Sequence, residues 1–306
     1  MGHRKPVLLR HVSFKIIYYD KFKKSFEQEA TLRNLSDRTR KSYWWHISDY
    51  GRFICKDPEQ SGIDELRSYF QSMLTDGNHK PGSVKMGYYA LRFLFTNIYH
   101  KDWAKEYLPT PKVAKTLPMV LSQDEVSEVL GSIGNFKHRA IIMLIYSTGA
   151  RVSESVNIKL TDIDSRRMQV NIQEGKGLKQ RKVPLSPILL SVLRKYYTKY
   201  KPQYYLFEGG GGKGTHLGIT AVRNVCTNAR HKTPQIKKPY TPHTFRHSFA
   251  THHLEHGTNL LIIQRLMGHS DLSNTLKYLH VQQLNTKEVS NPLDSLDGLE
   301  GLCKIK

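Results

Sequence analysis

A segment rich in proline and lysine divides this chain into two parts and limits the folds open to it. Residues 108–118 contain three prolines and two lysines. Proline breaks helices and lacks a backbone donor, so such a segment typically connects separately folded domains. With 306 residues the chain can bury two hydrophobic cores. We therefore predict a domain at 1–108, a linker at 109–120, a second domain at 121–283 and a tail at 284–306.

Apolar side chains of the first part recur at three- and four-residue spacing, as on one face of an α-helix. Such stripes occupy 36–53, 62–74 and 83–99. They predict a helical bundle with an apolar core. Basic residues lie among the stripes, and we select Arg40, Lys41 and Lys85 as candidate phosphate contacts. A solvated helix face would explain any one of them equally well.

The second part combines helical patterns with one hairpin signal. Ser122 and Glu125 form the Ser–x–x–Glu capping box that begins a helix. Residues 168–173 alternate as a short strand, glycines turn the chain at 175–177, and 181–185 return. The predicted fold class is mainly α with a small antiparallel β-sheet, a helical N-terminal domain being followed by an α+β domain. Further helices are predicted at 139–147, 186–200, 217–230, 244–256, 260–267 and 272–280.

Charge and cysteine content restrict the partners and the compartment. Lys and Arg number 47 against 26 Asp and Glu, a formal net charge of +21. Such an excess favours a polyanionic partner, with nucleic acid the first candidate. Three widely separated cysteines argue against a disulfide framework and fit a reducing cytosol. No apolar run is long enough to span a bilayer, so we expect a cytoplasmic protein without membrane contact, nucleoid-associated when bound to DNA.

Six residues in the second part suit chemistry on a phosphodiester. Cleavage of this bond needs a nucleophile, positive charge at the non-bridging oxygens and a proton for the leaving oxygen. Guanidiniums match phosphate oxygens in two-point contacts, a phenol can attack phosphorus, and a lysine on a hairpin tip can protonate the leaving 5′-oxygen. The six candidates are Arg151, Lys176, His243, Arg246, His269 and Tyr278. A salt bridge to Glu154 is the structural alternative for Arg151.

A metal site is the main alternative use of the histidines. Seven of the fifteen lie between His243 and residue 280, and two pairs have the four-residue spacing of zinc ligands. The first pair lacks the Glu of a His–Glu–x–x–His motif, and no cysteine is close in sequence. The candidate site is also nearly free of carboxylates, which favours catalysis without a metal or another cofactor. We interpret the remaining histidines of this region as packing or surface residues, namely His247, His252, His253 and His256.

On these motifs the chain resembles the tyrosine recombinases, or phage integrase family. The matching stretches are STGARVSE at 147–154, GKGLKQRKVPL at 175–185, HTFRHSFATH at 243–252, LMGHS at 266–270 and YLH at 278–280. The catalytic likeness spans about 118–282, and the helical N-terminal part resembles the family's core-binding domain. The short distance of 67 residues between Lys176 and His243 is similar to that of bacterial Xer-type recombinases and short transposon integrases.

The resemblance implies a site-specific DNA recombinase that works through a 3′-phosphotyrosyl intermediate and a Holliday junction, without metal or ATP. It implies that Tyr278 is the nucleophile, Lys176 the general acid and His243 the acid–base partner of the tyrosine. Arg151, Arg246 and His269 would hold the phosphate. Lys179 and Arg181, which follow the predicted hairpin turn, are further candidate DNA contacts.

The resemblance implies double-stranded DNA as the partner and a homotetramer that binds two DNA sites. Accessory DNA-bending proteins would be further partners, and the C-terminal tail would dock on a neighbouring protomer. Two alternatives remain open. One is a type IB-like topoisomerase that uses the same residues as a monomer, and the other is a non-catalytic DNA-binding relic.

Overall fold

The computed structural model describes residues 17–75, 79–103, 108–112, 117–173, 180–211 and 214–279. The chain divides into two compact units, Met1–Lys115 and Thr116–Lys306. Each unit contains a hydrophobic core of its own. The prediction of a mainly α fold with a small antiparallel sheet is confirmed.

The regular elements in the described part of the first unit are all helices. Its α-helices are α1 Ile17–Leu32, α2 Asp37–Ile54, α3 Ile63–Thr75 and α4 Pro81–Phe93, and α4 continues as a π-helical segment, Leu94–Ile98. A 3₁₀ turn at Pro58–Gln60 lies between α2 and α3. The three predicted stripes correspond to α2, α3 and α4 with its π-helical end. Helix α1 has no counterpart among them.

Local signals explain where two of these helices begin. Ser36 has an extended backbone before α2, and its hydroxyl accepts a hydrogen bond from the Thr39 N–H at 3.2 Å. Pro81 occupies the first turn of α4, where a missing N–H costs no hydrogen bond. The core between the helices is rich in aromatic rings, and the buried Tyr50 hydroxyl donates to Ser61 Oγ at 2.7 Å.

The second unit combines helices with the sheet. The Ser122–Glu125 capping box is present, with hydrogen bonds of 3.1 and 2.7 Å. The helix predicted at 272–280 is reduced to four residues, because Tyr278 and Leu279 donate to carbonyls three residues back and form turns. The helices are α5 Gln123–Ser132, α6 Phe136–Thr148, α7 Val152–Asn157, α8 Pro187–Tyr200, α9 Ile219–Lys232, α10 Pro242–Glu255, α11 Leu260–Met267 and α12 Ser273–Leu276.

Helix α6 forms the centre of this unit's core. Ala140, Ile141, Ile142, Leu144 and Ile145 are all fully buried, as expected for a helix that is apolar on all sides. None of the helices in the described ranges combines the length and apolar composition needed to cross a bilayer.

The end of α6 depends on a glycine. Gly149 terminates the helix in the left-handed region with φ 62°, and a Cβ at this position would lie 2.5 Å from the ring of Phe249 in α10. The conformation and the close contact both require glycine. Two residues later the chain reaches Arg151, so this tight turn places Arg151 beside α10.

Three short antiparallel strands form the sheet, in the order β1 Ile163–Asp164, β2 Gln169–Ile172 and β3 Arg181–Pro184. Val170 lies opposite Val183, and Ile172 lies opposite Arg181. The hairpin predicted from the sequence is confirmed, whereas β1 is too short for its alternation to be recognised. The connection between β2 and β3 carries Lys176 and Lys179, which lie outside the described residues.

Candidate active site

Helix α10 carries three polar side chains of the site in its first two turns. Pro242 occupies the first turn, followed by His243, Arg246 and His247. His243 is exposed at the end of the helix, His247 is half-buried, and Arg246 is only 4% exposed. The helix therefore places Arg246 inside the unit and leaves His243 accessible to a ligand.

Backbone carbonyls at the ends of two helices hold the guanidinium of Arg246. Its Nη1 donates to the carbonyl of Gly149, after α6, and its Nη2 donates to the carbonyl of Met267, the last residue of α11, at 2.6 Å. The same Nη2 lies 3.1 Å from Nε2 of His269. Burial, followed by the charge of Arg151, lowers the pKa of Arg246 to about 10. The guanidinium is still charged at neutral pH and has a fixed orientation.

A buried carboxylate, Glu154, connects three guanidiniums. It accepts hydrogen bonds from Arg151 Nη1 at 2.6 Å and Arg181 Nη2 at 2.7 Å, and it lies 3.8 Å from Arg246 Nη1. Burial acts to raise the pKa of Glu154, but the hydrogen bond and charge of Arg181, with the bonds from Arg151, outweigh burial and lower it. Glu154 therefore stays ionised and can neutralise only one of the three positive charges.

Arg181 corrects a prediction. We expected it to contact DNA, but it is only 9% exposed, and its Nε donates to the carbonyl of Leu266 at 2.7 Å while both Nη atoms bind Glu154. Alternate residues of β3 face opposite sides of the sheet, so Arg181 is buried and Lys182 is exposed. The sequence did not reveal which of the two faces is inward, because a shift of one residue exchanges them.

His269 is neutral and has a defined tautomer. Arginine has only donors, so Nε2 of His269 accepts from Arg246, and the proton is on Nδ1, which donates to Thr275 Oγ1 at 2.9 Å. Burial, followed by the charges of Arg246 and Lys277, lowers the pKa of His269 to about 3. Gly268, left-handed with φ 62°, ends α11 immediately before this residue. The carbonyl of Gly268 accepts from Arg151 Nη2 at 3.2 Å.

Tyr278 is fully buried beside this cationic cluster. Its hydroxyl lies 2.8 Å from Nδ1 of His247, and the ammonium of Lys277 lies 5.3 Å from the centroid of its ring. Burial raises the pKa of Tyr278 to about 12, although the charges of Arg246 and Arg151 act in the opposite direction. In this state the phenol is protonated and shielded from solvent.

The charges around His243 place it at the same site. Desolvation by the atoms packed around its imidazole, followed by the charges of Arg246, Arg223 and Arg151, lowers the pKa of His243. His243 is therefore the exposed member of a group that is otherwise largely buried. An anion approaching from solvent would meet His243 and the partly exposed side chain of Arg151.

The structure brings five of the six predicted catalytic residues together and adds one that we had not predicted. Lys176 lies outside the described residues, as does Lys179, and the catalytic roles of all six stay predictions. We had interpreted His247 as a packing or surface residue, although its four-residue distance from His243 places both on one helix face. Its bond to Tyr278 makes it part of the site.

The other histidines of α10 have packing partners. His252 Nδ1 lies 2.8 Å from the hydroxyl of Tyr146, and His253 Nδ1 lies 3.1 Å from Thr258 Oγ1. Across the part of the chain that the structure describes, no group of three or more His, Cys, Asp or Glu side chains could hold a metal ion. The pair at 243 and 247 therefore has no third ligand there.

The candidate DNA contacts of the first unit differ in their availability. Lys41 is exposed on α2, and Lys85 is half-buried on α4. Arg40 donates from Nε to the carbonyl of Leu35 at 2.8 Å and from Nη1 to Thr31 Oγ1 at 3.2 Å. Its guanidinium is used within its own unit, so Lys41 and Lys85 are the better candidates.

Comparison with known proteins matches each of the two units to a phage integrase family model. The family model described as "Phage integrase family" matches residues 119–285, and that of "Phage integrase, N-terminal SAM-like domain" matches 22–105. The chain is 38% identical over 270 residues to y4qK of Sinorhizobium fredii, provisionally named an integrase/recombinase, covering 88% of this chain and 87% of that protein. It is 34% identical over 280 residues to the tyrosine recombinase XerD of Listeria monocytogenes, covering 84% and 92%.

Solved structures agree on the fold. The XerH site-specific recombinase bound to its palindromic difH substrate, a post-cleavage complex, aligns with a TM-score of 0.68 at 22% identity, over 87% of this chain and 83% of that one. A lambda integrase dimer bound to a COC′ core site aligns with a TM-score of 0.69 at 18% identity, over 90% and 97%. Because the two family matches cover most of the chain and relatives exceed 30% identity over most of their length, the chain belongs to the phage integrase family of tyrosine-type site-specific recombinases.

Proposed function

We propose that this chain cuts and rejoins DNA at specific sites through a 3′-phosphotyrosyl intermediate and a Holliday junction. The observation that carries the proposal is the placement of the Tyr278 phenol beside Arg151 and Arg246, whose charges act on its pKa. A phenol next to fixed positive charges is suited to attack phosphorus, because those charges stabilise the negative charge that develops in the transition state.

The catalytic side chains that the structure describes have positions that support a role for each. Arg151 and Arg246 would bind the non-bridging oxygens. His269 would join them once its Nε2 takes up a proton, because only a protonated Nε2 can donate to a phosphate oxygen. His243, exposed at the end of α10, would contact the same phosphate from the solvent side. Lys176 would protonate the leaving 5′-oxygen, a role assigned from the family resemblance. Tyr278 is fully buried, so DNA docking has to open a path to its hydroxyl.

The reaction would need neither metal nor ATP. The bond between tyrosine and phosphate retains the energy of the broken phosphodiester, and the attack of a 5′-hydroxyl recovers it. The donor set supports this reading, because three arginines share the carboxylate of Glu154, which is therefore not available to Mg²⁺. The guanidiniums would supply the positive charge that a metal supplies elsewhere.

The proposed partner is double-stranded DNA, bound by a homotetramer that holds two sites, with the C-terminal tail docked on a neighbouring protomer and accessory DNA-bending proteins in some settings. A net charge of +21 supports a polyanionic partner. The XerH and lambda integrase structures that share the fold are both bound to DNA.

The substitution Tyr278→Phe tests the proposal. Phenylalanine retains the ring but lacks the oxygen, so covalent attachment to a nicked suicide duplex should disappear while DNA binding in a mobility-shift assay persists. Tyr146→Phe is the matched control, because it removes a phenol that is also bonded to a histidine of α10. Equal covalent attachment by wild type and Tyr278→Phe would refute the assignment. Recombination of two sites, rather than relaxation of supercoils alone, separates a recombinase from a topoisomerase.

A further inference from the structure

The hydroxyl of Tyr278 is hydrogen-bonded to a histidine outside the six predicted catalytic residues. Its Oη lies 2.8 Å from Nδ1 of His247, and the two ring centroids are 5.7 Å apart, with the planes inclined by 51°. His247 follows Arg246 directly on α10. Under the proposed function Tyr278 Oη is the atom that bonds to phosphorus, so His247 contacts a reacting atom.

We propose that His247 is the base that accepts the phenol proton when Tyr278 attacks the scissile phosphate, an inference that rests on the proposed function. As the bond between Oη and phosphorus forms and the bond from phosphorus to the 5′-oxygen breaks, the phenol proton moves to Nδ1 of His247. The leaving 5′-oxygen takes its proton from a separate acid, the role proposed for Lys176. In rejoining, a 5′-hydroxyl gives its proton back to that separate group and attacks phosphorus, the bond to Tyr278 breaks, and His247 returns its proton to the phenol oxygen.

The geometry favours His247 over His243 for this step. Proton transfer needs donor and acceptor within hydrogen-bond reach, and the distance from Oη to Nδ1 of His247 satisfies this directly. His243 lies one turn earlier, exposed at the helix end and close to the charges of Arg246, Arg223 and Arg151. That position suits contact with a phosphate oxygen. The two histidines would therefore act on different groups: His243 would contact the phosphate, and His247 would accept the proton of the phenol.

Burial and the neighbouring charges keep the imidazole of His247 unprotonated, so that its Nδ1 is free to accept a proton. Burial, followed by the charge of Lys277, then by His243 and Arg246, lowers the pKa of His247 to about 4, so its imidazole is neutral at neutral pH. The pKa of Tyr278 is about 12, so the proton stays on the phenol while no phosphate is bound. An incoming phosphodiester brings negative charge next to Lys277, Arg246 and His247. This charge raises the pKa of the imidazole, and the forming bond from Oη to phosphorus weakens the hold of the phenol oxygen on its proton. Proton transfer therefore accompanies the attack and does not precede it.

A second histidine–tyrosine pair on the same helix provides an internal reference. His252 Nδ1 lies 2.8 Å from the hydroxyl of Tyr146, and their rings are 5.8 Å apart. His252 is 7% exposed and packs at the other end of α10. Replacing it removes the same kind of hydrogen bond without touching the proposed site.

The experiment compares wild type, His247→Asn, His247→Ala and His252→Asn in full-length protein. Nicked duplexes with a randomised centre first identify the target through the strands that become covalently attached. The rate of adduct formation on that duplex is then measured in a single turnover as a function of pH. Circular dichroism tests whether each variant is folded, and a mobility-shift assay tests whether it binds DNA.

Asparagine at 247 places an amide near the Nδ1 position and can hold the phenol, but it cannot take a proton. We expect His247→Asn to slow adduct formation by ~10²-fold or more at neutral pH, the usual contribution of a general base. Its rate should then rise about tenfold per pH unit as hydroxide replaces the base. His247→Ala should behave similarly, the reverse ligation should be slowed to the same degree, and His252→Asn should match wild type.

Three results would overturn the assignment. A His247→Asn rate equal to that of wild type would show that the imidazole takes no part. A uniform loss with an unchanged pH profile would limit His247 to positioning the phenol and exclude proton transfer. A wild-type chain that binds DNA but forms no adduct would refute the proposed function itself, and this inference with it.

Discussion

Loss of the charge on Glu154 should destabilise the second unit more than any surface change of the same kind. Glu154→Gln retains the shape of the side chain and one acceptor oxygen but leaves Arg151, Arg181 and Arg246 without their shared counter-ion. Arg181 and Arg246 are only 9% and 4% exposed, so water cannot compensate for the lost charge.

The expected magnitude follows from the burial of these groups. Removing one partner of a buried ion pair costs roughly 3–5 kcal/mol, because an uncompensated charge remains inside the protein. The side chain of Arg151 is 37% exposed, so solvent partly screens its charge. Glutamine also still accepts one hydrogen bond. We therefore expect the free energy of unfolding to fall by about 3 kcal/mol, a large part of the ~5–15 kcal/mol typical of a domain.

Urea unfolding, followed in parallel by far-ultraviolet circular dichroism and tryptophan fluorescence, measures this loss. All three tryptophans, Trp44, Trp45 and Trp103, lie in the first unit, so their fluorescence reports unfolding there. Circular dichroism reports the helices of both units and should show the shift. The matched control is Glu125→Gln, which removes the charge facing Lys238 at 2.6 Å in a pair with 43% and 25% exposed side chains.

Glutamine still serves a capping box, so this control should cost at most about 1 kcal/mol. Glu154→Gln would refute the reasoning if it shifted the urea midpoint no further than Glu125→Gln does. Such a result would mean that the three guanidiniums relax toward water without cost.

Two further predictions concern the turn before Arg151 and three histidines whose pKa values are lowered. Gly149→Ala should lower the free energy of unfolding by ~2 kcal/mol or more, because φ is 62° and the added Cβ would lie 2.5 Å from Phe249. The control is Gly131→Ala, whose added Cβ meets nothing within 4 Å and should not destabilise the protein. Equal urea midpoints for the two variants would contradict this account. The pKa values of His46, His247 and His269 are lowered to about 4, 4 and 3 in the folded chain. In the unfolded chain a histidine has a pKa of ~6.5. Between about pH 6.5 and pH 4 the unfolded chain therefore binds more protons than the folded chain, and stability falls with falling pH. The melting temperature should therefore be steady above neutral pH and decrease below it, and a flat profile down to about pH 4 would be inconsistent with these shifts.

The sequence predicted those parts of the fold that have a local cause. The capping box at Ser122, the glycine stop at residue 149 and the apolar periodicity of α2 and α3 are each signalled by neighbouring residues. Strand β1 has two residues and no measurable alternation. Helix α12 is shorter than the sequence pattern indicated, because the chain leaves it through turns in which Tyr278 and Leu279 donate to carbonyls three residues back.

The candidate site shows the same division between local and tertiary causes. The order of Arg151, His243, Arg246, His269 and Tyr278 predicted residues that the structure places together, since residue type alone suggested phosphate chemistry. What surrounds each of them was not predictable. Arg181 was misjudged because the register of β3 decides which face is buried, and no pattern in its four residues records that choice. His247 was missed because its partner, Tyr278, is 31 residues away.

The carbonyl groups that hold the two arginines have a consequence for how this site tolerates change. Gly149 and Gly268 each end a helix, and their main-chain oxygens accept from Arg246 and Arg151. A point substitution cannot delete a main-chain oxygen. Neighbouring side chains can therefore change during evolution while the guanidiniums keep their orientation. Inserting or deleting one residue inside α6 or α11 is different, because it rotates the helix end by about 100°. Homologous sites should therefore accept many substitutions around these helices but keep their lengths constant.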